Sequence, residues 1–136
     1  MASSPALLDT DTLSAVMRKN PLAIERARAY LQVHRQFTFS IITRYEVLRG
    51  LLAKGAARQF TAFNELCATS RVLLLTDSII VQAATVYADL YRRGELINDA
   101  DILIASTAIE HGLVLVTNNE GHFRRVQDLQ VDNWLS

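Results

Sequence analysis

Three apolar runs in this chain are too short for helices and show no polar alternation: Ala6-Leu7-Leu8, Val72-Leu73-Leu74-Leu75 and Leu113-Val114-Leu115-Val116. A strand with one face in water alternates. An unbroken apolar run of this length reads as a strand buried on both faces, the habit of parallel sheets. The segments between the runs carry helical spacing and helical punctuation. Asp9-Thr10-Asp11-Thr12 turns the first run into a helix ending near Met17. Pro21 opens a second helix, to about His34. Phe37-Thr38-Phe39-Ser40 is β-rich and changes to helical period around Ser40, before Ile41–Gly50. A further helix is predicted from Arg58 to about Ser70. Asp77 can cap the next, whose core face is Ile80, Ala83, Ala84, Tyr87, Leu90 and Tyr91, and which Arg92-Arg93-Gly94 closes. Beyond the last run, residues 121–126 predict one helical turn and residues 129–134 an edge strand. Strands alternating with helices, without linker or repeat, argue for one domain of 136 residues. Its parallel sheet is covered on both faces.

The segment Ile97-Asn98-Asp99-Ala100-Asp101-Ile102-Leu103-Ile104-Ala105-Ser106-Thr107-Ala108 is an apolar helix with two carboxylates at its mouth. Ala100, Leu103, Ile104, Thr107, Ala108 and His111 share one face, and Gly112 stands where a left-handed cap is expected. Asp101 lies below Ala105 and Ala108, so small side chains let a neighbour pack closely and Asp101 should look into a crowded place. The plain alternative is a capping box, Asn98-x-x-Asp101. The same alternative applies to Glu46, in Thr43-x-x-Glu46.

Function follows from where the acids fall. In an open parallel sheet, sites form at the carboxyl ends of strands. Asp9 and Asp11 follow the first strand, Glu46 the second, Asn118 and Asn119 the fourth, while Asp99 and Asp101 begin the helix leading into the fourth. Asp11 is open as the helix cap, which would leave Asp9 to the site. Asn119 alone reads as a turn residue. Several carboxylates in one cleft need a cation, and oxygen donors select a hard one, Mg²⁺ or Mn²⁺. His34, His111 and His122 have no paired ligand spacing and read as structural or exposed. There is no phosphate-cradling glycine loop and no GxSxG elbow. Formal net charge is zero, so the whole-molecule field draws in neither nucleic acid nor acidic membranes. Substrate binding would then rest on local arginines such as Arg44, Arg49, Arg92 and Arg93. Cys67 is the single cysteine, Met1–Leu8 lacks the features of a signal peptide, and no run approaches a membrane span. The expectation is a cytoplasmic protein.

Taken together, Leu7-Leu8-Asp9-Thr10, Ser40–Gly50 with its Tyr45-Glu46, Asp101–Ala105, and Leu115-Val116-Thr117-Asn118-Asn119 with Phe123 resemble a PIN-domain ribonuclease. More narrowly, they resemble the VapC-type toxin of a toxin–antitoxin pair. The likeness spans nearly the whole chain and keeps the motif order. It implies a three-layer α/β/α sandwich with a central, mainly parallel sheet. It also implies Mg²⁺- or Mn²⁺-dependent cleavage of RNA, a homodimer, and an antitoxin that occludes the site. Asp9, Glu46 and Asp101 fall on the family's metal-binding acids, Asp99 on a position acidic in many members, and Asn119 on a fourth site position where Asp is common. Asn119 removes one charge, which bears on any second metal. Glu46 either ligates the ion or orients the attacking water.

Two alternatives compete. An aspartate-nucleophile phosphatase of the haloacid-dehalogenase type would use Asp9 to attack phosphorus and Asp11 as acid/base. It needs a downstream lysine, and none follows Lys54. A non-catalytic PIN-like interaction domain would keep the sheet without the chemistry, but clustered acids cost stability unless something binds them.

Overall fold

The computed structural model describes residues 4–136; the first three residues of the Met1–Leu8 stretch lie outside them. The elements follow the order β1 (Ala6–Leu8), α1 (Thr10–Met17), α2 (Pro21–His34), β2 (Thr38–Ser40), α3 (Ile41–Lys54), α4 (Ala57–Ala68), β3 (Arg71–Leu73), α5 (Asp77–Arg92), α6 (Asp99–Glu110), β4 (Val114–Val116), α7 (Glu120–Phe123) and β5 (Val131–Asp132). All pairings are parallel: β1 with β4, β4 with β5, and β2 with β3. β2 lies beside β1, giving a layer ordered β3-β2-β1-β4-β5 with its ladder interrupted between β2 and β1.

Successive strand residues point to opposite faces, and the core divides accordingly. Leu7 and Leu115 join one apolar cluster with Leu90, Ile104 and Ala108 of α5 and α6. Ala6, Leu8 and Val116 join the other, with Leu13, Tyr30, Val47 and Phe63 of α1 to α4. Helices therefore cover both faces of a central parallel sheet, the α/β/α arrangement expected.

Helix ends are capped by chemistry readable in the sequence. Asn20 precedes Pro21 and accepts from the amides of Leu22 and Ala23, and Ser40 caps α3. Gly94 and Gly112 adopt φ of 67° and 63° after α5 and α6, where a side chain would be strained. Three expectations need correction. β3 is an edge strand, not one buried on both faces, and Leu74 just beyond it is 65% exposed. Thr76, not Asp77, caps α5, its Oγ1 accepting from the Ile79 amide. The buried stripe of α5 is Ile79, Ala83, Val86 and Leu90, while Ile80, Tyr87 and Tyr91 are exposed. The helix is rotated one residue from the expected phase because two apolar stripes run side by side along it. α6, by contrast, is buried almost all round, with Ile102 and Ala105 as deep as Ile104 and Ala108, although His111 is exposed.

Candidate active site

Chain order places β1 and β4 side by side although the chain visits β2 and β3 between them. The strand order reverses there, and a crevice opens at the carboxyl ends. Asp9 ends β1 and Thr117 ends β4. The Thr117 hydroxyl donates to Asp9 Oδ2 at 2.8 Å, and the Asp9 amide donates to the Val116 carbonyl at 2.9 Å. Asp9 Oδ1 accepts from the Thr10 amide at 2.8 Å, so Asp9 is itself the cap of α1. The suggestion that Asp11 caps the helix is thereby corrected. Asp11 sits in the first turn, where its Oδ2 accepts from the Asn118 amide at 3.1 Å. An extended residue directly before a helix is placed to cap it, and Asp9 has that backbone geometry, with φ −71° and ψ 160°. Only 6% of Asp9 is exposed. Burial, then the nearby Asp11 charge, pushes its carboxyl up to about 7, against the Thr117 and Thr10 hydrogen bonds, with Asp101 adding a smaller upward push.

Glu46 comes in from α3. Its Oε1 accepts from the Thr10 hydroxyl at 2.6 Å, and that hydroxyl also lies 3.1 Å from Thr43 Oγ1. Ser40 caps α3 through the Ile42 amide. The Thr43-x-x-Glu46 spacing is therefore not a capping box, since both residues gather on Thr10 instead. Asp101 enters from α6. Here Asn98 does cap the helix, accepting from the Asp101 amide through Oδ1 at 2.9 Å, but the box closes through side chains, Asn98 Nδ2 donating to Asp101 Oδ2 at 3.1 Å in place of the Asn98 backbone amide. The carboxyl is nonetheless largely screened from solvent, as the small residues above it suggested. Burial pushes it up, and the Glu46 charge adds to that, opposed by the nearby His122 ring and by the Asn98 hydrogen bond. Capping and site membership are not exclusive for this residue.

Asn119 immediately precedes α7, and its Nδ2 lies 2.8 Å from His122 Nδ1, which is 3.6 Å from Asp101 Oδ2. His122 is thus a site neighbour that sequence reasoning dismissed. Its signal was the Asn119-x-x-His122 spacing, which gains meaning only when the fold sets α7 against the mouth of α6. Thr10 and Thr117, which hold Glu46 and Asp9, were also passed over. Asp99 is placed differently. It is exposed and lies with Ile80, Ala83, Tyr87, Ile102 and Leu103 around an apolar groove between α5 and α6. It is not among the leading charges acting on Asp9 or Asp101.

The donor set is all oxygen, which suits a hard divalent cation. Among the described residues, no group of three or more His, Cys, Asp or Glu side chains is arranged to hold a metal ion closely. An ion of the Mg²⁺ type needs only one or two protein carboxylates and retains its waters. Asp9 and Asp101 supply such carboxylates; burial pushes both up and neighbouring acids push them further, and a bound cation would offset both effects. No helix among the described residues is long and apolar enough to cross a membrane.

Comparison with known proteins adds to this geometry. The PIN-domain family model matches residues 6–129. Ribonuclease VapC1 of Methanocaldococcus jannaschii is 32% identical over 125 residues, covering 92% of this chain and 83% of the relative. The tRNA(fMet)-specific endonuclease VapC of Salmonella typhimurium is 30% identical over 129 residues, covering 94% and 96%. Among solved structures, DNA-bound VapBC from Salmonella typhimurium superposes with a TM-score of 0.86 at 25% identity, covering 97% of this chain and 99% of that one. VapBC-1 from nontypeable Haemophilus influenzae does so with a TM-score of 0.83 at 27% identity, covering 96% and 98%.

Proposed function

The chain belongs to the PIN-domain family, and on that premise we propose that it is a metal-dependent endoribonuclease, the toxin of a toxin–antitoxin pair. The observation that carries the reading is the convergence of Asp9, Glu46 and Asp101 at the strand-order reversal. They come from three elements far apart in sequence, and repulsion links Asp9 to Asp101 and Asp101 to Glu46. Asp9 and Asp101 would hold Mg²⁺ or Mn²⁺, with Asn119 at the margin of the site through His122, whereas Asp99 lines the α5–α6 groove instead. When bound, the ion supplies a water of lowered pKa and neutralises charge developing on the phosphate. Glu46, held by Thr10, is oriented to accept a proton from an attacking water. Thr117 fixes one Asp9 oxygen and leaves the carboxylate a single productive orientation. The phosphatase alternative needs a lysine downstream of the strand that ends at Thr117, and none follows Lys54.

The relatives' association with antitoxins supports a protein partner here. A cavity of about 510 Å³ runs from Glu46 between α1, α3 and α4, past Met17, Val47, Leu51 and Leu66. It suits an apolar segment of an antitoxin, whose arginine could then reach the carboxylates. A homodimer through the exposed Ile80, Tyr87 and Tyr91 stripe of α5 would explain that second apolar face. A cytoplasmic setting is consistent with the lone Cys67. The test is incubation of the purified protein with total cellular RNA, with Mn²⁺ and with a chelator. Cleavage is expected with Mn²⁺ and its loss with the chelator; intact RNA under both, from folded protein, would overturn the reading.

A further inference from the structure

One residue before Glu46, α3 presents Tyr45 to solvent, 59% exposed, although Thr43 and Val47 of the same turn are buried. A single exposed aromatic needs no explanation by itself. What singles this one out is its company. The Arg49 guanidinium stands 5.1 Å from the ring centroid, and Arg49 Nη2 lies 3.8 Å from Glu46 Oε2. Arg49 is itself well exposed, and its contact with Glu46 is loose. Two of the other arginines singled out in the sequence, Arg44 and Arg93, are committed to their neighbours. Arg44 donates to Asn64 Oδ1 and lies over Phe63, and Arg93 is bound to Asp89 and to the Arg125 carbonyl.

The geometry points to a nucleobase-stacking platform made by Tyr45 and Arg49 at the edge of the proposed ribonuclease site, and the assignment rests on that reading. The ring offers a flat π face. The guanidinium against it offers N–H donors and a positive charge to the neighbouring phosphate. An unpaired base can lie on such a pair, whereas a base within a duplex cannot. The helix places the pair one turn or less from Glu46, so a base held there sets which phosphate reaches the carboxylates. A protein partner is the weaker occupant. Tyr45 and Arg49 do not line the apolar cavity beside α1 and α4, and the ring's own companion is a cation.

The test measures binding of a short fluorescein-labelled single-stranded RNA, and of its duplex, in chelator so that nothing is cut. Tyr45→Ala should weaken single-strand binding about tenfold, as loss of one base–aromatic stack does, and leave duplex binding unchanged. Tyr45→Trp should restore it, and Arg49→Gln should weaken both forms. Single-strand binding unchanged in Tyr45→Ala would overturn the platform. So would equal losses on single strand and duplex, or a change confined to oligomeric state. Failure of the wild type to cut total RNA would remove the nuclease reading while leaving these binding results to decide the platform.

Discussion

Asp9 carries the clearest electrostatic consequence at the scale of a single residue. Its carboxyl is pushed from the ordinary 3.8 to about 7, mainly by burial. Between those values the native state holds a proton that the unfolded chain has released. Stability of the metal-free protein should therefore fall as pH rises across that window, by on the order of 4 kcal/mol if Asp9 acts alone. Asp101 is pushed in the same direction and adds to the fall. Asp9→Asn removes the titrating group, so its urea midpoint in chelator should stay flatter with pH and lie above the wild type near neutrality. Parallel profiles for the two proteins would show that Asp9 ionises freely in the fold. Residue identities were legible in the sequence: Asp9, Glu46 and Asp101 could be named from their positions after strands and at a helix mouth. Their anchors were not. Thr10 reaches Glu46 across 36 positions and Thr117 reaches Asp9 across 108, and no local pattern announces such pairs.

Elements show where sequence pattern suffices and where it fails. The strand and helix order was readable because runs such as Ala6-Leu7-Leu8 have no other use, and because Ser40 and Gly112 mark ends in a few residues. The phase of α5 was not. Ile79, Ala83, Val86 and Leu90 form one apolar stripe, and Ile80, Ala84, Tyr87 and Tyr91 a parallel one; only packing against α6 chooses between them. The choice is measurable. Ile79 is 1% exposed and Ile80 is 47% exposed. Ile79→Ala should cost about 3 kcal/mol in urea unfolding, the usual penalty for emptying a core site, and Ile80→Ala less than about 1 kcal/mol. Equal penalties would contradict the observed phase. Thr10→Val tests α1 against α3 in the same way. It frees Glu46 from its 2.6 Å hydrogen bond, and RNA cleavage should drop about tenfold or more while the fold survives, since a positioned proton acceptor contributes at least that much. Undiminished cleavage would show that Thr10 does not position Glu46.

For the whole molecule, zero net charge means that attraction of RNA must come from local arginines rather than from an overall field. Cleavage below saturation should weaken as salt rises, because phosphate contacts release counterions, and a salt-independent rate would argue against such contacts. The layered architecture was legible because parallel strands and covering helices have few other arrangements. The groove beside Glu46 and the exposed face of α5 were not, since surfaces depend on which stripe each helix buries. The central claim is that the acids joined at the strand-order reversal hold the ion that supports RNA cleavage, and Asp101→Asn addresses it with least disturbance. Asparagine retains the helix cap and nearly the same shape while removing one charge from the cluster. Melting temperature with and without Mn²⁺, and RNA cleavage by the same preparations, should be measured for wild type and variant. In chelator the variant should melt at or above the wild type, its rise on adding Mn²⁺ should be smaller, and cleavage should fall by orders of magnitude. A variant that matches the wild type in both melts and still cuts RNA at a similar rate would contradict the claim and leave Asp101 a capping residue.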